Sequence, residues 1–138
     1  MVGFLIRSRT GEKWFILIIT GNSFSVGKRM QKADYVVVLT TATTDGEARD
    51  IAALLLERRK AACVNIVPGV NSYFWWQGRI DSGQESLLII KTRASLIPEI
   101  VCLVKGCHSY QVPEIIALPI IGGSEDYLRW LDSEVQEL

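Results

Sequence analysis

The stretch 61-AACVNIVPGVNSYFWWQGRIDSGQESLLII-90 decides the architecture. Its first half is rich in β-branched and aromatic residues, and it ends in a second apolar run, 87-LLII-90. Between the halves, 81-DSG-83 has turn composition, so the whole reads as one long hairpin. Pro68-Gly69 interrupts the first strand, a pair that marks a bulge, bend or sheet edge. Tyr73, Phe74, Trp75 and Trp76 then stand side by side. Successive strand side chains point to opposite faces, so both faces of this arm carry large rings.

Upstream, 35-YVVVL-39 is an uninterrupted β-branched run and reads as a strand buried on both faces. The spacing 44-TDGE-47 is that of a capping box. Ala48, Ile51, Ala52 and Leu55 follow at i, i+3, i+4 and i+7, one face of a helix ending near 58-RRK-60. Downstream, Ser95 precedes Ile97, Ile100, Val101 and Val104 in the same spacing. Pro98 lies in that helix's first turn, where a missing N–H costs little, and Gly106 is a stop. Another apolar run, 115-IIALPII-121, leads through Gly122-Gly123 to a Ser124-capped helix with Leu128, Leu131 and Val135 on one face.

The order β-α-β-β-α-β with an extra C-terminal helix predicts an α+β, ferredoxin-like domain with an antiparallel sheet. Such a fold leaves one sheet face open, and an open face makes its strands alternate apolar with polar residues. Here 35-YVVVL-39, 87-LLII-90 and 115-IIALPII-121 do not alternate. The second face must therefore be covered, and another copy of the chain is the economical cover. Tyr73, Phe74, Trp75 and Trp76 are the expected interface residues, each ring burying roughly 150–250 Å² when enclosed.

With 138 residues, 49% hydrophobic and 22% charged, the chain has the composition of one globular domain. Its formal net charge is zero but unevenly spread. Residues 1–33 carry six basic side chains against Glu12 alone, a net of +5, which leaves −5 on residues 34–138. That acidic domain argues against nucleic acid as a partner. The apolar run 14-WFILII-19 falls far short of the roughly 20 residues of a membrane span and is short for a signal peptide. Residues 1–33 read as an extension preceding the domain at 34–138, and Met30 offers an alternative start. Three cysteines suggest no disulfide framework, so a reducing, cytoplasmic setting is expected.

The strings 61-AACVNIVPGV-70, 75-WWQGRI-80, 90-IKT-92, 108-HSYQVPEIIALPI-120 and 127-YLRWL-131 resemble the CutA family, the divalent-cation tolerance proteins. The resemblance covers about residues 34–135, in order and spacing. It implies a ferredoxin-like protomer in a tight homotrimer, with sheets packed around a threefold axis much as in the PII signalling proteins. It also implies a role in tolerance of copper and other divalent cations, with no enzymatic activity. Some members implicated in copper binding carry a His pair where Cys107-His108 stand and a Cys where Thr40 stands.

Three constellations carry candidate chemistry. Cys63 and His108 could act as thiolate and base only if the fold joined them. Cys63, between Ala62 and Val64, reads instead as a small buried hydrophobe, so no catalysis is expected. Cys107-His108, just past a helix stop, offers thiolate and imidazole, a set suited to copper or zinc, with Cys63 the remaining soft donor. The alternative is a solvated loop histidine beside an incidental cysteine. Finally, Glu85 and Lys91 share one strand face and, with Trp76, Tyr110 and Glu114, could line an intersubunit pocket for a small anion or metabolite, or form an ion pair that fixes register. Two functions stay open: a metal-responsive binding protein, and a PII-like signalling or scaffolding trimer that binds a small molecule or partner protein.

Overall fold

The computed structural model describes residues 34–137 in full and, before them, the backbone of three strands. The chain divides into two compact units, Met1–Lys32 and Ala33–Leu138. The first is an antiparallel meander of β1 (Val2–Arg7), β2 (Trp14–Thr20) and β3 (Ser23–Val26), with Leu5 opposite Ile16 and Ile19 opposite Phe24. The apolar run 14-WFILII-19 is thus the central strand of a small sheet.

The second unit runs β4 (Tyr35–Ala42), α1 (Asp45–Glu57), β5 (Cys63–Trp76), β6 (Arg79–Arg93), α2 (Ile97–Cys107), β7 (Ile116–Pro119) and α3 (Glu125–Glu134). Its antiparallel sheet has the order β5-β6-β4-β7. The split βαβ arrangement expected from sequence is therefore present, each crossover helix joining strands separated by one neighbour.

Local chemistry explains the element ends. Thr44 Oγ1 accepts from Glu47 N at 3.1 Å and starts α1. Arg59 stands at φ 55° just after α1; Lys60 N donates to Leu55 O and Arg59 N to Leu56 O, which closes a Schellman motif. A 3₁₀ turn, Ala94–Leu96, leads into α2, whose start has no side-chain cap. Ser95 Oγ instead donates to Glu137 Oε1 at 2.5 Å. Ser124 caps α3 as expected, but Val135 lies beyond the helix in extended backbone and joins the main core.

The hairpin turn differs from the sequence expectation. It falls at Gln77-Gly78, both at positive φ, with Trp76 opposite Arg79, while Asp81, Ser82 and Gly83 lie inside β6. Two positive-φ residues form the tight turn whose twist suits a hairpin, and glycine takes the second position without strain. Gly78→Val is therefore expected to lower stability by about 1 kcal/mol, read as a lower urea midpoint.

One sheet face packs against α1 and α2. Val36, Val38, Leu88 and Ile90 from the strands meet Ile51, Leu55, Ile100 and Val104 from the helices, all buried. Burial along β4 alternates strictly despite its unbroken apolar start, 35-YVVVL-39. The second face carries Val37, Leu39, Leu87 and Ile89, which are half-buried, and the exposed Val67. α3 covers one end of this face: Asp132 accepts from Tyr35 Oη at 3.2 Å and from Arg93 Nε at 2.7 Å, and Leu131 is fully buried outside the main core. So the extra helix covers part of the face that the sequence left open, while Ile116 and Leu118 on the edge strand stay exposed.

Candidate functional site

β5 and β6 run well past the end of β4, whose last residue, Ala42, pairs with Ser86. The unsupported part, Asn71–Trp76 with Arg79–Gln84, is a two-stranded arm. At Pro68-Gly69 the ladder slips, with Val67 opposite Leu87 and Val70 opposite Glu85. That bulge reverses the parity of β5. Before it the odd residues share the second face; beyond it the even residues do. Phe74 and Trp76 therefore lie on the face of Glu85 and Asp81, while Tyr73, Trp75 and Ile80 point the other way. These last three are 78%, 72% and 65% exposed.

Facing the arm is the 108–114 loop, which three anchors hold. His108 Nδ1 accepts from Tyr110 N at 2.9 Å, which leaves the ring proton on Nε2, and Nε2 donates to Thr41 O at 2.6 Å. The His108 side chain is fully enclosed. Glu47 supplies the second anchor: Oε1 accepts from Ser109 N at 2.6 Å, while Oε2 accepts from Thr43 N and Thr43 Oγ1 at 2.8 and 2.7 Å. Desolvation pushes the Glu47 pKa up, but the Thr43 and Ser109 donors outweigh it and hold it at about 2. Tyr110, the third, meets Glu85; burial first and that carboxylate second raise its phenol pKa.

Between arm and loop lies an open cleft of about 930 Å³. Trp76, Glu85, Tyr110 and Glu114, all expected as pocket residues, line it. Lys91, expected with them in a pocket between subunits, does not line this cleft of the single chain. It lies six residues along β6 from Glu85, roughly 20 Å at the usual strand rise, with its Nζ 3.6 Å from Cys63 Sγ. Sharing a strand face is not sharing a site. Asp81 and Phe74 line the cleft too: Asp81 because it lies inside β6 on the Glu85 face rather than in a turn, and Phe74 because the bulge, which alternation alone does not show, sets its side.

The expected metal donors do not meet. Cys63 pairs across β6 with the Val37 level of β4, four residues and about 13 Å from Thr41, whose carbonyl holds His108. Cys107 is the last residue of α2 rather than a loop residue, and its Sγ turns back to Val104 O at 3.5 Å. Partial burial, then the Glu47 charge, raise the Cys107 pKa and favour the neutral thiol, a poor ligand. Both His108 nitrogens are engaged, so no lone pair is free for an ion. Thr40 is fully buried and its Oγ1 lacks a partner. Among the described residues no group of three or more His, Cys, Asp or Glu side chains could hold a metal ion. Within one chain these residues do not fit a bound divalent cation. The same separation of Cys63 from His108 removes the thiolate–base pair.

Comparison with known proteins fits this geometry to a family. The family model described as CutA1 divalent ion tolerance protein matches residues 36–134. The chain is 45% identical to the chloroplastic protein CutA 1 of Oryza sativa over 102 residues, 74% of this chain but only 58% of that protein. It is 39% identical to the chloroplastic protein CutA of Arabidopsis thaliana over 132 residues, 96% of this chain and 70% of that one. The solved divalent cation tolerance protein (Cut A1) from Thermus thermophilus superposes with a TM-score of 0.73 at 47% identity, covering 74% of this chain and 99% of that one. This chain therefore belongs to the CutA1 divalent ion tolerance family.

Proposed function

We propose that the chain acts without catalysis, as a homotrimer in the cellular response to divalent metal ions, copper among them. The observation that carries the trimer is the uncovered second face, continued along the arm by the exposed Phe74 and Trp76. Tyr73, Trp75 and Ile80 are more exposed still on the arm's opposite side, and a soluble monomer rarely shows so much apolar surface. The metal connection rests on the family and on the names of its relatives. Because the described residues of one chain assemble no donor set, engagement of an ion is assigned to the trimer, with ligands from more than one copy. Three free thiols, Cys63, Cys102 and Cys107, suit a reducing compartment such as the cytoplasm.

Light scattering is expected to give three times the chain mass, and Trp75→Ser with Tyr73→Ser to shift it toward one. A monomeric wild-type mass would sink the assembly reading. Titration of the reduced trimer with Cu²⁺ and Zn²⁺ tests the metal reading, which absence of saturable binding would remove. The cleft favours a second reading, a PII-like trimer that takes a small organic ligand, since about 930 Å³ is the scale of a metabolite rather than a bare ion.

A further inference from the structure

We propose that Ser95 is a phosphorylation site and that its phosphate unlatches the C-terminal tail. The site is independent of the metal and small-ligand readings above. Ser95 follows the end of β6 remote from the arm, in the turn that enters the helical layer, so its exposure does not depend on the sheet face assigned to the trimer. Arg93 stands two residues before it, and no other Ser or Thr of the chain has an arginine at that spacing. With Lys91 four residues before, 91-KTRAS-95 is a target for a protein kinase whose substrate groove is acidic, because such enzymes select by charge pattern.

The Ser95 hydroxyl sits where the tail is fastened. Val135 is buried in the main core, Gln136 N donates to Arg59 O at 2.8 Å, and Gln136 O accepts from Lys60 Nζ at 2.9 Å. Glu137 ends the run: its Oε1 accepts from Ser95 Oγ at 2.5 Å and lies 3.8 Å from Arg93 Nη1. Asp132 engages Arg93 Nε and Nη2, which leaves Nη1 turned toward the tail. Phosphorylation moves the γ-phosphoryl group of a nucleoside triphosphate to Ser95 Oγ. An O–P bond forms, the bond to the nucleoside diphosphate breaks, and the hydroxyl proton passes to the kinase's base. The donor that held Glu137 is thereby lost, and a charge of about −1.5 to −2 stands where the carboxylate was bound. The phosphate also takes Arg93 Nη1 as a charge-assisted partner. Glu137 then faces like charge with neither partner left. Gln136 and Val135 remain as the only fastenings, and a terminal segment held by so few contacts opens often.

The catalytic subunit of cAMP-dependent protein kinase with ATP serves as the probe on the full chain, and peptide masses locate the phosphate. Ser95 is expected to be phosphorylated, and Ser95→Ala to lack that product. Amide exchange reads the latch. The Gln136 amide is expected to exchange about tenfold faster in the phosphorylated chain, while the Ala48 amide, bonded to Thr44 O at 3.0 Å in α1, keeps its rate. Ser95→Ala removes the donor without adding charge and is expected to speed Gln136 by a smaller factor. Glu137→Gln removes the like charge and is expected to reduce the effect of phosphorylation to about threefold or less. Ser95→Asp, which needs no kinase, is expected to speed Gln136 more than Ser95→Ala does. Failure of Ser95 to take phosphate in the folded chain would overturn the site. Gln136 exchange no faster in the phosphorylated chain than in Ser95→Ala would overturn the latch, as would an undiminished effect of phosphorylation in Glu137→Gln.

Discussion

Glu99→Ala is expected to lower the free energy of unfolding by about 3 kcal/mol. Lys60 is 4% exposed and sits in the turn between α1 and β5. Its Nζ donates to Glu99 Oε2 of α2 at 2.6 Å and to Gln136 O of the C-terminal tail at 2.9 Å, while its own carbonyl accepts from Thr92 Oγ1 at 2.6 Å. One residue thus joins a helix, a central strand and the tail. Removing the carboxylate strands an ammonium with a single carbonyl, and breaking one side of a buried pair costs about 3–5 kcal/mol. Glu99 keeps a third of its side chain in water, which puts the cost at the lower end. Lys60→Met with Glu99→Leu removes both charges and is expected to return to within about 1 kcal/mol of the native protein. Urea unfolding at fixed protomer concentration measures both. A Glu99→Ala variant as stable as the parent would show that the tail carbonyl suffices for the buried ammonium.

Glu47→Gln is the second large effect, expected to cost about 3 kcal/mol at neutral pH. The Glu47 carboxyl has its pKa lowered from an ordinary 4.5 to about 2 in the folded chain. A lowered carboxylate stabilises the fold fully above its unfolded value and ceases to do so as pH falls through its folded value. The contribution is therefore complete above about pH 4.5 and fades toward about pH 2. Stability measured at pH 7, 4 and 2.5 should show the parent and Glu47→Gln converging as the acid is approached. Since Glu47 also accepts from Ser109 N, the variant should exchange the Ser109 amide faster and loosen the cleft wall. A constant gap between the two proteins at all three pH values would mean that packing, not charge, is what Glu47 supplies.

Much of the fold was legible in the sequence because its signals are local. The alternation of strand and helix patterns, the Thr44 cap, the Pro68-Gly69 break and the Ser124 cap each depend on residues within one or two turns of each other, and each appears where it was expected. Even the uncovered face could be anticipated, since unbroken apolar runs in β4 and β6 exceed what one helical layer needs. The hairpin turn was misplaced at 81-DSG-83 because turn composition is shared by Gly-containing strands. Gln77-Gly78 is singled out only by the pairing of Trp76 with Arg79.

The sequence by itself determined which elements form and in what order, because periodicity and capping are properties of a segment and its near neighbours. Tertiary structure alone decided what those elements bring together. Lys91 leaves the cleft because a strand carries a shared face some 3.3 Å further with each residue. Phe74 and Trp76 enter it because the bulge at Pro68-Gly69 reversed the parity of β5. His108 is withdrawn from metal chemistry because the carbonyl of Thr41, 67 residues away in the chain, and the amide of Tyr110 consume both its nitrogens. Glu85 becomes enclosed in the same way: only long-range packing determines which groups exclude water from a carboxylate.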